Sequence, residues 1–262
     1  MIDTHAHLDF PQFDADREEI IRLAHQEGVE LIINIGTDLA SSEKSVVLAE
    51  AHPGIFATVG VHPHDAKTWD SKTSPARLEK LANHPRVVAI GEIGLDFYRN
   101  FSPREDQKRA FADQIAVARK MNLPIVVHNR EAFADVFAML LEHGAHEVGG
   151  VMHCFAGTVD EAWKTIDYGF YISVGGRLTY PNSRDVPVVA EIPLHRLLVE
   201  TDCPYLTPAP FRGKRNHPTL VKYVRAKIAE IKGVSEEEVD AVTAASARAL
   251  FRLDHERTTQ SQ

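Results

Sequence analysis

Residues 124–155 read PIVVHNREAFADVFAMLLEHGAHEVGGVMHCF, and their reading decides the fold. A short β-branched run, PIVVH (124–128), gives way to an amphipathic segment, EAFADVFAMLLEHG (131–144). A second apolar run, GGVMHCF (149–155), follows. Strand, helix, strand is the unit of a parallel sheet, because a parallel neighbour is reached only through a crossover that packs on the sheet. Both runs carry a histidine near their carboxyl end, His128 and His153.

The same alternation extends outward in both directions. IDTHAHL (2–8), VELIINIG (29–36), IFATVGVH (55–62) and VVAIGEIGL (87–95) precede this unit, and FYISVGG (170–176) and RLLVETD (196–202) follow it. Amphipathic DADREEIIRLAHQEG (14–28) and SPREDQKRAFADQIAVARKMN (102–122) lie between strands; the connection over 63–86 is more irregular, with a short helical piece around SPARLEKLANH. Eight such units in 262 residues predict an α/β fold, a (β/α)8 TIM barrel. An open doubly wound sheet is the competitor, but it does not usually carry eight repeats with chemistry at nearly every strand end. Two closing helices, 217–233 and 235–251, cover the barrel, the second with Ser235 as N-cap and Glu238 at the capping-box position. The expected division is one domain over 1–254 and a polar tail over 255–262.

Composition narrows the class. Hydrophobic residues make up 44% and charged residues 25%, enough for a sizeable core. A net charge of −8 excludes a surface coated in cations for indiscriminate nucleic-acid binding, though not a local basic rim. Two cysteines, Cys154 and Cys203, form no disulfide framework and fit a reducing cytoplasm. No run approaches the ~20 apolar residues of a membrane span, so no membrane partner is expected, and none of the motifs calls for an obligate protein partner. The unusual figure is 14 histidines.

In a barrel, catalytic groups stand at the carboxyl ends of the strands. Read there, the chain offers His5 and His7 on the first strand, His62 on the third and Glu92 on the fourth; the fifth, sixth and eighth give His128, His153, and Glu200 with Asp202. His5 and His7 sit at i and i+2 and therefore face one way. The histidines on helices and in the tail (25, 52, 84, 143, 146, 195 and 255) read as structural, and His64 as intermediate. Four histidines and two carboxylates exceed one tetrahedral site with an open position. They suit two ions about 3.5–4 Å apart, with Glu92 as the bridge from the middle strand of the set. Water held between such ions becomes hydroxide near neutral pH and attacks a carbonyl or phosphorus centre. Asp202 can hold a metal and also orient that water or take its proton. Four histidines favour Zn²⁺ or Mn²⁺ over Mg²⁺. Cys154 and Cys203 read as packing residues, and Gly91, Gly94, Gly175 and Gly176 as points where backbone bends or approaches closely.

Taken together, DTHAHLD, GVHPHD, AIGEIGLDFY, PIVVHNREA, MHCFAG, VETDCPYLTP and FRGKRNHP, in that order, resemble the TatD family of metal-dependent deoxyribonucleases. The resemblance runs from residue 2 to about residue 253, with no motif member missing. It implies that His5, His7, Glu92 and Asp202 hold one divalent ion and that Glu92, His128 and His153 hold the second, whether Mg²⁺, Mn²⁺ or Zn²⁺. It also implies that Asp202 and Glu92 are catalytic, that His62 contacts or supports the substrate, and that the reaction is 3′–5′ exonucleolytic hydrolysis of DNA phosphodiesters, with RNA as a further substrate.

Charge placement supports a polyanionic substrate, which the resemblance implies is nucleic acid, single-stranded DNA above all. Arg99 and Arg104 follow the fourth strand, Arg130 the fifth, and Arg212, Lys214 and Arg215 the eighth, all on the expected catalytic rim. Arginine forks match phosphate oxygens, and Tyr98, Phe97 and Tyr205 on the same loops could stack bases. The alternatives are a carbon–nitrogen or ester hydrolase of the aminoacyl-deacylase kind on the same dinuclear site, and a binding barrel that has lost catalysis.

Overall fold

A computed structural model describes residues 1–253. The tail expected over 255–262 lies outside the described residues. Eight strands run β1 (Ile2–Ala6), β2 (Leu31–Ile35), β3 (Ile55–Val59), β4 (Val87–Asp96), β5 (Ile125–Arg130), β6 (Gly150–Met152), β7 (Tyr171–Val174) and β8 (Leu197–Val199). They pair in chain order, every pair parallel. The first and last strands meet just past their ends. Ala6 bridges Cys203, the His7 amide donates to Cys203 O at 2.9 Å, and the Asp202 amide donates to His5 O at 2.9 Å. The expected (β/α)8 barrel is present, and its closing seam is what brings Asp202 beside His5 and His7.

Helices cover the strands: α1 (Arg17–Gln26), α2 (Leu39–Ala51), α3 (Ser74–Ala82), α4 (Arg104–Met121), α5 (Phe133–Glu142), α6 (Val159–Asp167), α7 (Asp185–Glu191), α8 (Val221–Lys232) and α9 (Glu236–Phe251). Caps set several of their limits. Asn122 ends α4 and Gly233 ends α8, both in the left-handed conformation that satisfies the last carbonyls. Ser235 caps α9 by accepting from the Glu238 amide; the full reciprocal capping box is at Thr158 and Glu161 of α6. Among the described residues no helix is long and apolar enough to cross a membrane.

Two apolar layers result. The larger lies between strands and helices; the smaller fills the barrel interior with Ile2, Ile33, Ile35, Val88, Val126, Val151 and Leu198. Leu250, Phe251 and Leu253, at and just past the end of α9, join that interior layer. The last helix is therefore part of the barrel core.

The strands stop earlier than their apolar runs suggest. β3, β6 and β8 end at Val59, Met152 and Val199, so His62, His153 and Asp202 stand on the loops immediately after. Register shifts fall between Asp3 and Ala6 in β1 and between Ile90 and Ile93 in β4, the strands carrying His5 and Glu92, with His7 immediately after β1. Bulges of this kind re-aim side chains next to active sites. Glycine matters most at Gly94, whose φ of +142° and whose would-be Cβ, 2.0 Å from His128 O, admit no side chain. Gly176 is as tight against Leu206 O and Gly91 is crowded by Val126, but Gly175 has only ordinary contacts at 3.5 Å, so the close approach expected there is absent.

Candidate metal centre

Strands β1, β4 and β5, with the loops after β1, β3, β6 and β8, bring His5, His7, His62, Glu92, His128, His153 and Asp202 into one cluster. Glu92 is its middle. Glu92 Oε1 lies 2.7 Å from His128 Nδ1, 2.8 Å from His153 Nε2 and 3.3 Å from His62 Nε2. Its other oxygen, Oε2, faces His5 Nε2 at 3.4 Å and His7 Nε2 at 4.0 Å. Asp202 Oδ1 closes the second side, 3.5 Å from His7 Nε2 and 3.7 Å from His5 Nε2. Among the described residues, ligand atoms within 4.8 Å of one another form three triads: His5, His7 and Glu92; His5, His153 and Asp202; His62, Glu92 and His128.

The donor set fits divalent cations. Imidazole nitrogens face each other at 3.2 Å between His5 and His7, 3.2 Å between His62 and His128, and 3.4 Å between His153 and His128. Imidazole nitrogens crowded together with carboxylates packed among them call for a shared positive charge. Protonation behaviour agrees. Burial alone would discharge His153, yet the charge of Glu92 and contacts with Glu200 hold it well above its ordinary value. Burial would likewise raise Glu92, but His153, His62 and His128 hold it well below the carboxylate range.

The other ring nitrogen decides which histidines present a lone pair. His7 Nδ1 lies 3.2 Å from Ile35 O and can only donate to it, so the neutral ring keeps its Nε2 lone pair toward the cluster. His62 is the reverse. Its Nδ1 accepts from the His64 amide at 3.1 Å, so the proton sits on Nε2 and the ring faces Glu92 as a donor. Burial lowers His62 to about 4, against the raising effect of Glu92, which keeps the ring neutral. His62 thus stands nearer the centre than its expected supporting role implied, but with the wrong tautomer for a ligand.

Four polar residues that the strand-end reading left without a firm role hold the cluster from below and beside. Asp3, fully buried, accepts from the Thr201 amide, the Thr201 hydroxyl and the His5 amide, tying β1 to the segment after β8. Desolvation pushes its carboxyl up to about 7 despite those bonds. Glu200 accepts from the Cys154 amide at 2.7 Å and from the Ser173 hydroxyl, with His153 Nδ1 3.6 Å away. Asn34 accepts from the Leu8 amide and donates to Asp9. Asp96, the last residue of β4, touches both His64 and His128; its place four residues past Glu92 was a signal open to the sequence. Asp202 and Cys154 adopt positive φ, 55° and 44°, a conformation that costs energy and clusters at functional sites. Burial raises the Cys154 thiol to about 12 and the Cys203 thiol well above its ordinary value, so neither is a nucleophile.

Around the mouth, the expected rim separates into free and committed cations. The Arg130 guanidinium lies 4.1 Å above the ring of Tyr98, with Arg99 at 5.5 Å from the same ring. Arg104 stacks on Phe97 at 4.1 Å and Arg212 on Tyr180 at 4.4 Å. Lys214 is exposed. Arg215 is not free: it forms a bidentate pair with Asp16 and covers Phe13 at 4.7 Å. A rim role for Arg215 is weakened accordingly, because its two forks are already filled by a carboxylate. Tyr98 and Tyr205 are about half exposed, at 52% and 49%.

Comparison with known proteins identifies the family. The family model for TatD related DNase matches residues 2–252. An uncharacterized metal-dependent hydrolase, YabD, of Bacillus subtilis is 46% identical over 97% of this chain and 100% of its own length. The 3′-5′ ssDNA/RNA exonuclease TatD of Cronobacter sakazakii is 39% identical, covering 96% of this chain and 97% of that one. The crystal structure of YJJV, a TatD homolog from Escherichia coli K12, superposes with a TM-score of 0.91 at 32% identity, over 96% of this chain and 98% of that one. A barrel with a histidine–carboxylate cluster at its carboxyl end and relatives matched along their whole length lead to one assignment: the chain belongs to the TatD family of metal-dependent hydrolases.

Proposed function

We propose that this enzyme is a two-ion phosphodiesterase that shortens single-stranded DNA, and RNA with it, from the 3′ end in the cytoplasm. The observation that carries the reading is Glu92, whose two oxygens face two different histidine sets. His5, His7, Glu92 and Asp202 would hold one ion, and Glu92, His128 and His153 the other. The nitrogen-rich set favours Zn²⁺ or Mn²⁺ over Mg²⁺. Bound divalent ions supply Lewis acidity toward a phosphoryl oxygen and lower the pKa of water to about 7.

The chain's own residues supply the rest. Asp202 has the more accessible of the two carboxylates in the cluster, 14% of its side chain against 4% for Glu92. It would therefore orient the attacking water and take its proton, while Glu92, the other expected catalytic carboxylate, would act by joining the two histidine sets. His62, neutral with its proton on Nε2, donates a hydrogen bond toward the same centre. Arg99, Arg130, Arg212 and Lys214 receive the phosphates, and Tyr98 and Tyr205 offer faces for unpaired bases. That several relatives carry the name 3′-5′ ssDNA/RNA exonuclease supports this choice of substrate.

The test uses protein stripped of metal and resupplied with Mg²⁺, Mn²⁺ or Zn²⁺, acting on 5′-labelled single-stranded DNA and RNA oligonucleotides. Glu92→Gln serves as the control for contaminating nucleases. A metal-dependent ladder that shortens from the 3′ end, absent in the control, is the expected result. Bound metal without cleavage under any ion would overturn the reading and direct the search to carbonyl substrates.

A further inference from the structure

Asp96 lies outside the cluster that faces the barrel axis, yet its two oxygens look in opposite directions. Oδ1 accepts from two successive backbone amides, Tyr98 at 3.0 Å and Arg99 at 2.7 Å. Oδ2 lies 2.8 Å from His64 Nε2 and 3.3 Å from His128 Nε2. The side chain is fully buried, and Gln107 locks its backbone by donating to Asp96 O and accepting from the Asp96 amide. Such a carboxylate has no other partner to satisfy, and it cannot drift.

We propose that Asp96 is a positioning residue that fixes the tautomer of His128 with one oxygen and the turn of the nucleic-acid rim with the other. His128 faces an acceptor-only carboxylate at each ring nitrogen, Glu92 at Nδ1, 2.7 Å away, and Asp96 at Nε2. A divalent ion held on the Glu92 side would take the Nδ1 lone pair, and the ring's single proton would then sit on Nε2, pointing at Asp96. A ligand histidine whose far nitrogen donates to a carboxylate is held in orientation and made more basic. The other oxygen pins the amides of Tyr98 and Arg99, and so places the ring on which Arg130 stacks. The Phe97 amide donating to Arg130 O at 2.9 Å ties the same turn to the strand that carries His128. The inference rests on the reading of His128 as a metal ligand made above, and it adds a link between that ligand and the rim.

Asp96→Asn separates the two oxygens' roles. The amide oxygen can still accept from Tyr98 and Arg99, while the new NH₂ faces His64 and His128. To accept from it, His128 Nε2 must give up its proton to Nδ1, which removes the ligand lone pair. Chelator-competition titration with Zn²⁺ should then show one of two ions weakened about 10- to 100-fold, the usual cost of losing such a partner. For an oligonucleotide substrate kcat should fall with KM unchanged, whereas Asp96→Ala should also raise KM.

Unchanged affinity for both ions in Asp96→Asn, even with lowered thermal stability, would leave only a structural role and overturn the proposal. A second measurement needs no variant of Asp96. Long-range proton–nitrogen correlation spectra of zinc-loaded wild-type protein, with His128 assigned by His128→Gln, should place the His128 proton on Nε2. A proton on Nδ1 would refute the inference. Wild-type protein that binds two ions but cuts no nucleic acid would remove the proposed substrate and leave the Asp96 assignment standing.

Discussion

Replacing Arg130 with alanine should weaken nucleic-acid binding by an amount that salt can read. Arg130 is exposed, packs on Tyr98 at 4.1 Å, and has no carboxylate partner among the ion pairs of the described residues. Arg99, Arg212 and Lys214 are in the same position, whereas Arg215 is occupied by Asp16. If Arg99, Arg130, Arg212 and Lys214 each neutralise one phosphate of a single strand, log K should fall with log salt at a slope of about −2.8, since each contact contributes about 0.7. Between 50 and 200 mM salt that slope corresponds to a loss of about 50-fold in affinity. Arg130→Ala should bring the slope to about −2.1 and the loss to about 20-fold. Arg215→Ala should leave the slope where it was. The assay is fluorescence anisotropy of a labelled oligonucleotide across salt, in a Glu92→Gln background that prevents turnover. An unchanged slope for Arg130→Ala, or a reduced one for Arg215→Ala, would show that the rim has been read wrongly.

Other consequences can be checked separately. Asp202→Asn should abolish hydrolysis while thermal unfolding stays cooperative; near-normal turnover would remove Asp202 from the chemistry. Phe251, 2% exposed in the barrel interior, should cost about 3–5 kcal/mol on replacement by alanine, seen as a fall in denaturant midpoint. Arg215→Ala removes an ion pair that is about one-third exposed on both sides, so its stability cost should stay within about 1 kcal/mol; a larger loss would point to its packing on Phe13. Zn²⁺ at about 100 times its Kd should stabilise the stripped protein by about 2.7 kcal/mol, and a Tm insensitive to zinc would contradict the metal centre.

The parallel barrel was legible because the pattern repeats: one βαβ unit is ambiguous, but eight in succession, six of them with ligand-type residues near the strand end, are not. The cluster was legible for the same reason, since strand ends in a closed barrel must converge. What stayed hidden depends on distances that no local pattern encodes. His62 belongs to the centre because the loop after β3 turns inward, and its tautomer is decided by the amide of His64. Arg215 looked like a rim cation because its partner, Asp16, lies far away in the chain, on the N-terminal side of α1. The role of α9 was underestimated for a similar reason. Its amphipathic pattern says that one face is buried, not that Phe251 enters the same layer as Ile2 and Ile33.

The division of charge follows from these placements. An enzyme with net charge −8 is repelled at long range by a polyanion, so it must concentrate its free cations where the substrate enters. Carboxylates inside the mouth would oppose that attraction unless they were neutralised. Glu92 and Asp202 are ringed by histidines, and divalent cations held by that set would neutralise them. The metal centre and the rim are therefore electrostatically dependent on each other. Loading the cluster with divalent ions should strengthen oligonucleotide binding even in Asp202→Asn, where turnover is absent, and anisotropy with and without Zn²⁺ measures that coupling directly. Equal affinity in both conditions would mean that the rim binds the strand independently of the centre.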